Sequence, residues 1–417
     1  MRQGWRWFGP KAPVTLDEVR QVGATDIVSA LHEAPIGAVW TRGAVEERRH
    51  LIETTPPGRV SLSWSVIESI PIPDAIKRRG AAAVAEIEAW IASLESVGQA
   101  GIKIVCYNFM PVVDWCRTEL DHVCDTGATA MRFDFEAFAA FDLHILARSG
   151  AERDYTQTER HRAWARYEAM DAAAQAELVR NIASALPGST TEPMTLPAFR
   201  EKLQSYRDVD AARLRRNLIE FLMAVTPVAE SLGVKLTLHP DDPPRPLFGL
   251  PRIASTQDDY AALFDAVPSP ANGMCFCSGS LGVRPDNDLE RMVHRFGPRI
   301  HFAHLRNTRR ESDPRSFHES AHLDGDTDMV AVLKALVAED RRRASNETIV
   351  FRSDHGHRML DDLNKNVTPG YPVIGRMRGL AELRGILHGL GHPPQAGVLA
   401  AQSPSHKIAD RTCFHLP

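Results

Sequence analysis

Two imidazoles, a thiolate and a carboxylate each stand at the end of a short apolar run in the second half of the chain. They are His239 in KLTLHPDDPP, Cys277 in GMCFCSGSLG, His304 in RIHFAHLRN and Asp354 in TIVFRSDHGH. Such a set suffices to hold one divalent transition metal. A thiolate is a softer donor than Mg²⁺ or Ca²⁺ sites use, which leaves Fe²⁺, Mn²⁺, Co²⁺ and Zn²⁺. Each residue alone has a plainer reading: a strand-end histidine that only hydrogen-bonds, a cysteine as buried filler, an aspartate capping a helix. Their matching positions on four successive strands are what make them one site.

Next to Asp354 stands His355, placed for proton transfer near neutral pH. Tyr371, in the Pro/Gly loop TPGYPVIG, could act as a second acid or base beside a cation, or simply pack its ring. Arg306 and Arg352 suit a substrate carboxylate, because a guanidinium grips one with two parallel hydrogen bonds. Either could instead pair with Asp241 or Asp242. Asn108 can hydrogen-bond a hydroxyl, and Arg6, Trp7 and His32 can line the floor or rim of the same pocket.

These residues need a scaffold that brings strand ends together. Runs rich in β-branched residues alternate with segments of helical period along the chain. Strand candidates are DIVSALH, RVSLSWSVIES, IKIVCYNF, VKLTLHPDD, GMCFCSGS, RIHFAHLRN and TIVFRSDHG, with a short eighth in GYPVIG. Such alternation implies a parallel sheet, and about eight units of roughly 30 residues imply an α/β fold of the (β/α)₈ barrel kind. An open doubly wound sheet is the alternative; the absence of GxGxxG after the first strand weighs against a dinucleotide-binding version. Residues 1–395 then form one catalytic barrel, 117–210 a charged, Ala-rich, mostly helical insertion after the third strand, and 396–417 a loosely held tail.

Strand parity refines the ligand choice. Cys275 and Cys277 share a strand face, and Cys277 lies nearer the end. His301 and His304 point to opposite faces, and His304 is nearer the mouth.

Composition removes several other classes. Lys and Arg total 49 against 53 Asp and Glu, a formal charge of −4, which gives no electrostatic case for nucleic acid. No window approaches the roughly 20 apolar residues of a membrane span. MRQGWRWFGP lacks the apolar core of a signal peptide, so a cytoplasmic protein is expected. Six cysteines in 417 residues are too few for a disulfide scaffold. The expected partners are a small acidic substrate and further copies of the chain.

RWFGP, VTLDEVRQVGATDIVSALHEAPIGAVW, WSVIESIPI, YNFMPVVDW, HPDDPP, CSGSLG, HFAHLRN, SDHGH and PGYPVIGRMRGLAELRG together resemble the D-mannonate dehydratases of hexuronate degradation. The likeness runs in order from Arg6 to Leu390. It implies a barrel of the xylose-isomerase-like group, bound Mn²⁺ or Fe²⁺, and dehydration of D-mannonate to 2-keto-3-deoxy-D-gluconate. It places the metal ligands on His239, Cys277, His304 and Asp354 and the acid/base pair on His355 and Tyr371. Ser353 and Cys116 depart from the pattern, which has proline and threonine there; neither is a ligand. An aldose–ketose isomerase, or a dehydratase of another sugar acid, is the alternative on the same barrel.

Overall fold

Eight parallel strands close on themselves in the order β1 (Arg2–Arg6), β2 (Asp26–Ser29), β3 (Ser63–Glu68), β4 (Ile104–Tyr107), β7 (Lys235–Leu238), β8 (Asn272–Cys277), β9 (Ile300–Leu305) and β12 (Val350–Ser353), with β12 pairing back onto β1. The structure, a computed structural model, describes residues 1–183 and 194–400. The remaining strands are β5 (Glu119–Val123), β6 (Thr129–Phe133), β10 (Asn307–Arg310) and β11 (Phe317–Ser320). They form a separate antiparallel sheet in the order β10-β11-β6-β5.

The closed parallel barrel is the expected fold, and the strand that closes it is new. RQGWR is too short and polar to read as a strand, yet it is β1. Its Gly4 faces the barrel interior, where an added Cβ would lie 3.2 Å from Val28 and Val350 side chains. Trp5 points outward and is fully buried beneath Arg376, whose guanidinium carbon lies 3.8 Å from its ring centre. Gly4 and Arg6 therefore take the inward positions, so no apolar alternation marks the strand. The eighth strand expected in GYPVIG does not form; Val373 begins the helix Val373–Gly389 instead. Ile104–Tyr107 thus becomes the fourth barrel strand, and the long insertion follows the fourth rather than the third.

That insertion is not wholly helical. It opens with the hairpin β5–β6 before the helices Phe135–Ala140, Gln157–Glu168, Ala172–Ala183 and Leu196–Gln204. Residues 184–193 of the insertion and 401–417 of the expected tail lie outside the described residues. The described start of the tail pairs with the chain at 58–61, Ser61 N–H donating to Val398 at 2.8 Å.

Helices cover the barrel through one apolar stripe each. Ala211–Leu232 starts on Asp210, whose carboxylate accepts the Arg213 N–H at 2.7 Å, and ends on Gly233 in the left-handed region at φ 63°. Leu214, Leu218, Phe221, Leu222, Val225 and Ala229 recur at helical spacing and are fully buried. Inside the barrel, Val28, Val66, Ile104, Cys106, Cys275, Phe302 and Val350 form their own apolar cluster. This plug is the floor on which the site stands, because the next inward residue on each strand lies one layer higher.

Candidate active site

Moving two residues along from the plug turns apolar side chains into polar ones. Val66 leads to Glu68, Cys106 to Asn108, Cys275 to Cys277, Phe302 to His304, and Val350 to Arg352 and then Asp354. The barrel pairing aligns Cys277 with His304 and His304 with Arg352 across β8, β9 and β12. Closure of the sheet, not proximity in sequence, makes them neighbours.

The donor atoms of His239, Cys277 and His304 all lie within 4.8 Å of one another. His239 Nε2 is 3.1 Å from His304 Nδ1. Asp354 Oδ2 stands 3.8 Å from His304 Nδ1 and 4.0 Å from Cys277 Sγ. His301, by contrast, is away from this cluster, its ring packed against Gly273. The four residues singled out from strand ends are therefore side by side.

The donor set fits a divalent cation. His239 Nδ1–H donates to the Pro240 carbonyl at 2.7 Å, which leaves the Nε2 lone pair facing inward. Burial opposes ionisation of Cys277, but Arg306 and hydrogen bonds from His239 and His304 hold its thiol well below the ordinary value. Ser280 adds its N–H at 3.4 Å and its hydroxyl at 3.2 Å to the sulfur. Burial lowers the proton affinity of His239, yet Cys277 outweighs it and raises the pKa to about 10. His304 is likewise raised, burial and Arg352 being overcome by Glu68, Asp354 and Cys277. Both rings thus attract positive charge, but their facing nitrogens at 3.1 Å have room for only one proton between them. One divalent cation removes that conflict, since ligands at about 2.1 Å from a shared ion stand roughly 3–3.5 Å apart.

Asp354 divides its two oxygens between two tasks. Oδ2 faces the donor cluster and accepts from Arg306 Nε at 2.8 Å. Oδ1 is paired with Arg352 and lies 3.5 Å from the Tyr371 hydroxyl and 3.7 Å from His355 Nε2. The His355 and Tyr371 rings meet edge to face, with centres 5.2 Å apart. Burial and then Asp354 push the Tyr371 phenol up to about 12, against Arg352 and Arg6. Asp354 is held well below the usual carboxylate range, burial being overcome by Arg352, His355, His304 and Arg306.

A cavity of about 50 Å³ opens at this point, lined among others by Asn108, Trp115, His239, Arg352, Asp354, His355 and Tyr371. A far larger cavity of about 1240 Å³ lies among Phe135, Tyr155, Tyr206 and Phe248, and none of His239, Cys277, His304 and Asp354 lines it. Size does not identify the site here; the convergence of titratable groups does.

The remaining expected residues fall differently. Arg306 lines the cavity, but its guanidinium is committed to Asp354, Glu319 and Asp242. Gly279 makes that packing feasible, since a Cβ there would lie 2.5 Å from the Arg306 side chain. Arg352 spans Asp354 and Glu68, and Arg6 pairs with Glu68 at 2.6 Å. Trp7 is buried with its indole N–H on the Val14 carbonyl at 3.0 Å, outside the cavity lining. His32 packs against Phe8 at 5.5 Å, and burial lowers its pKa to about 3.

Sequence reasoning missed three carboxylates. Glu68 ends β3, so the strand-end rule that found His304 would have found it. Asp242 stood in HPDD but was weighed only as an arginine partner. Glu319 had no signal, because it comes from β11, outside the barrel. Glu68, Asp242 and Glu319 all surround the site, each paired with arginine.

A family model described as D-mannonate dehydratase (UxuA) matches residues 1–395. A mannonate dehydratase of Brucella canis is 68% identical over 390 residues, covering 94% of this chain and 97% of that protein. One from Chromohalobacter salexigens is 53% identical over 388 residues, covering 93% and 98%. The crystal structure of mannonate dehydratase from Streptococcus suis superposes with a TM-score of 0.74 at 30% identity, covering 97% and 99% of the two chains.

Proposed function

The chain belongs to the D-mannonate dehydratase family, and from that premise we infer that the mouth of its barrel removes water from D-mannonate. It is a hydro-lyase. Loss of the carbon 2 hydrogen and the carbon 3 hydroxyl gives an enol, which tautomerises to 2-keto-3-deoxy-D-gluconate. The reaction takes its place in the breakdown of hexuronates.

His239, Cys277, His304 and Asp354 would hold a divalent cation, Mn²⁺ or Fe²⁺, which would supply stabilisation of negative charge on substrate oxygens. The protein's own groups do the rest. His355 Nε2 takes the proton from carbon 2, and the Tyr371 hydroxyl, kept protonated by burial, delivers one to the departing hydroxyl. Asn108 and Arg352 orient the sugar acid at the cavity wall.

Charge favours an anionic substrate. Glu68, Asp242, Glu319 and Asp354 are matched by Arg6, Arg117, Arg306 and Arg352 in direct ion pairs. The Cys277 thiolate is a fifth anion, which faces the rings of His239 and His304. With a divalent cation bound among them the balance would become a single positive charge, which a monoanionic sugar acid would neutralise.

The observation that carries this reading is the meeting of four metal-type donors with His355 and Tyr371 on one carboxylate. The test is turnover of D-mannonate, alongside other sugar acids, read by the thiobarbiturate colour of a 2-keto-3-deoxy acid. Chelation should abolish the colour and Mn²⁺ or Fe²⁺ should restore it. A ketose product without the colour would assign an isomerase instead, and full activity after exhaustive chelation would remove the metal from the chemistry.

A further inference from the structure

The small antiparallel sheet meets the catalytic loop at Glu319 and at Thr129. Its Oε1 accepts from Arg306 at 2.7 Å and Arg117 at 2.8 Å, and stands 3.0 Å from His355 Nδ1. Its Oε2 takes a further bond from Arg306 at 2.8 Å, and its side chain is 3% exposed. The backbone oxygen of the same residue accepts from His357 Nε2 at 3.0 Å. One strand away, Thr129 and Arg358 exchange two backbone hydrogen bonds at 2.9 and 2.8 Å. The loop carrying His355 is thus tied to the sheet at three points.

A carboxylate held between two guanidinium groups has only lone pairs to offer. The nitrogen of His355 that faces it must therefore carry the hydrogen. That leaves Nε2 with its lone pair, on the side of Asp354 Oδ1 and the cavity. Which ring nitrogen bears hydrogen is set by the bond the other one makes.

We propose that Glu319 is a positioning residue for His355, selecting the Nδ1–H tautomer and fixing the ring so that Nε2 exchanges the proton with substrate. This rests on the reading of His355 as a proton-transfer group. It also gives the insertion a part in the chemistry: Arg117, at its first position, holds Glu319 in place.

The test uses the metal-loaded full chain and D-mannonate. Glu319→Gln keeps shape but removes the charge, and its amide can present an N–H to Nδ1. We expect kcat to fall about 30-fold, in the range seen for partners that orient a first-layer group. KM should stay within about threefold, and metal per chain should not change. A wild-type kcat, or metal loss parallel to the rate loss, would overturn the proposal. Should Glu319→Gln not fold, ¹⁵N-histidine NMR of the zinc-loaded wild type at pH 8 decides the matter, with the His355 signal identified by its loss in His355→Asn. A protonated Nδ1 and bare Nε2 are expected; hydrogen on Nε2 refutes the tautomer. If His355→Asn turns over normally, the reading of His355 falls with it. If His355→Asn is inactive and Glu319→Gln is not impaired, only the positioning role falls.

Discussion

The two halves of the site are built on different principles. The metal side stands on the barrel itself, where Cys277, His304 and Arg352 share one register across β8, β9 and β12. The proton-transfer side stands on a loop, with His355 and Tyr371 beyond the end of β12 and their support drawn from the four-stranded sheet. The first is rigid because the hydrogen-bonded ladder fixes each inward residue above the apolar plug. The second is rigid only because distant segments clasp it. A barrel can therefore fix ligands by local rules alone, whereas placing an acid/base group needs long-range contacts.

Breaking the metal side should have the largest effect. Cys277→Ser or Asp354→Asn removes an anionic donor and leaves buried cationic partners uncompensated. Both variants should lose the metal and at least about a thousandfold in turnover, the scale expected when charge stabilisation of the developing anion is lost. Elemental analysis beside the dehydratase assay checks this. A Cys277→Ser protein with full metal and full rate would exclude the thiolate from the site.

The other side should break differently. His355→Asn and Tyr371→Phe leave all four donors in place. Metal content should stay at the wild-type level while kcat drops by about 10²–10⁴, the range for one general acid or base. The contrast between lost metal and retained metal is what separates the two halves, and normal rates in both variants would erase it.

This asymmetry also explains what could be read in the sequence. His239, Cys277, His304 and Asp354 were legible because strand ends at a parallel barrel converge by necessity. The barrel itself was legible from seven of its strands. β1 was not, since its inward positions are Gly4 and Arg6 and its one large apolar residue, Trp5, faces the helices. Glu319 was not, because nothing local says that β11 crosses to the barrel mouth. Arg306 was read either as a group for the substrate or as a partner of Asp241 or Asp242; it pairs with Asp242, and Glu319 and Asp354, which converge on it only in the fold, occupy its other donors.

Arg117 tests whether the clasp matters to the fold as a whole. Fully buried, it pairs with both oxygens of Asp242, at 2.7 and 3.1 Å, and with Glu319 at 2.8 Å. Arg117→Met leaves two buried carboxylates each one partner short, which costs about 3–5 kcal/mol when a buried pair is broken. A drop in Tm of several degrees is expected, larger than the change from any of the surface ion pairs. An unchanged Tm would mean the small sheet contributes nothing to holding the loop.

The smallest effect lies on the outer face of the barrel and shows what burial does without ligand chemistry. His301 is lowered to about 3, first by burial and then by the charges of Arg343 and Lys235. Its folded value lies below the ordinary 6.5, so the unfolded chain binds the extra proton first as pH falls. Stability from the neutral ring is complete above about pH 6.5 and is lost progressively as pH drops toward 3. Between pH 7 and 5 the loss is on the order of 1–2 kcal/mol. His301→Gln should flatten the acid slope of Tm by that share while leaving metal content untouched. His304, three residues further on and facing the barrel interior, has its proton affinity raised rather than lowered. An identical slope in wild type and variant would mean that His301 is protonated in the fold, and that its burial beside Gly273 does not keep the ring neutral.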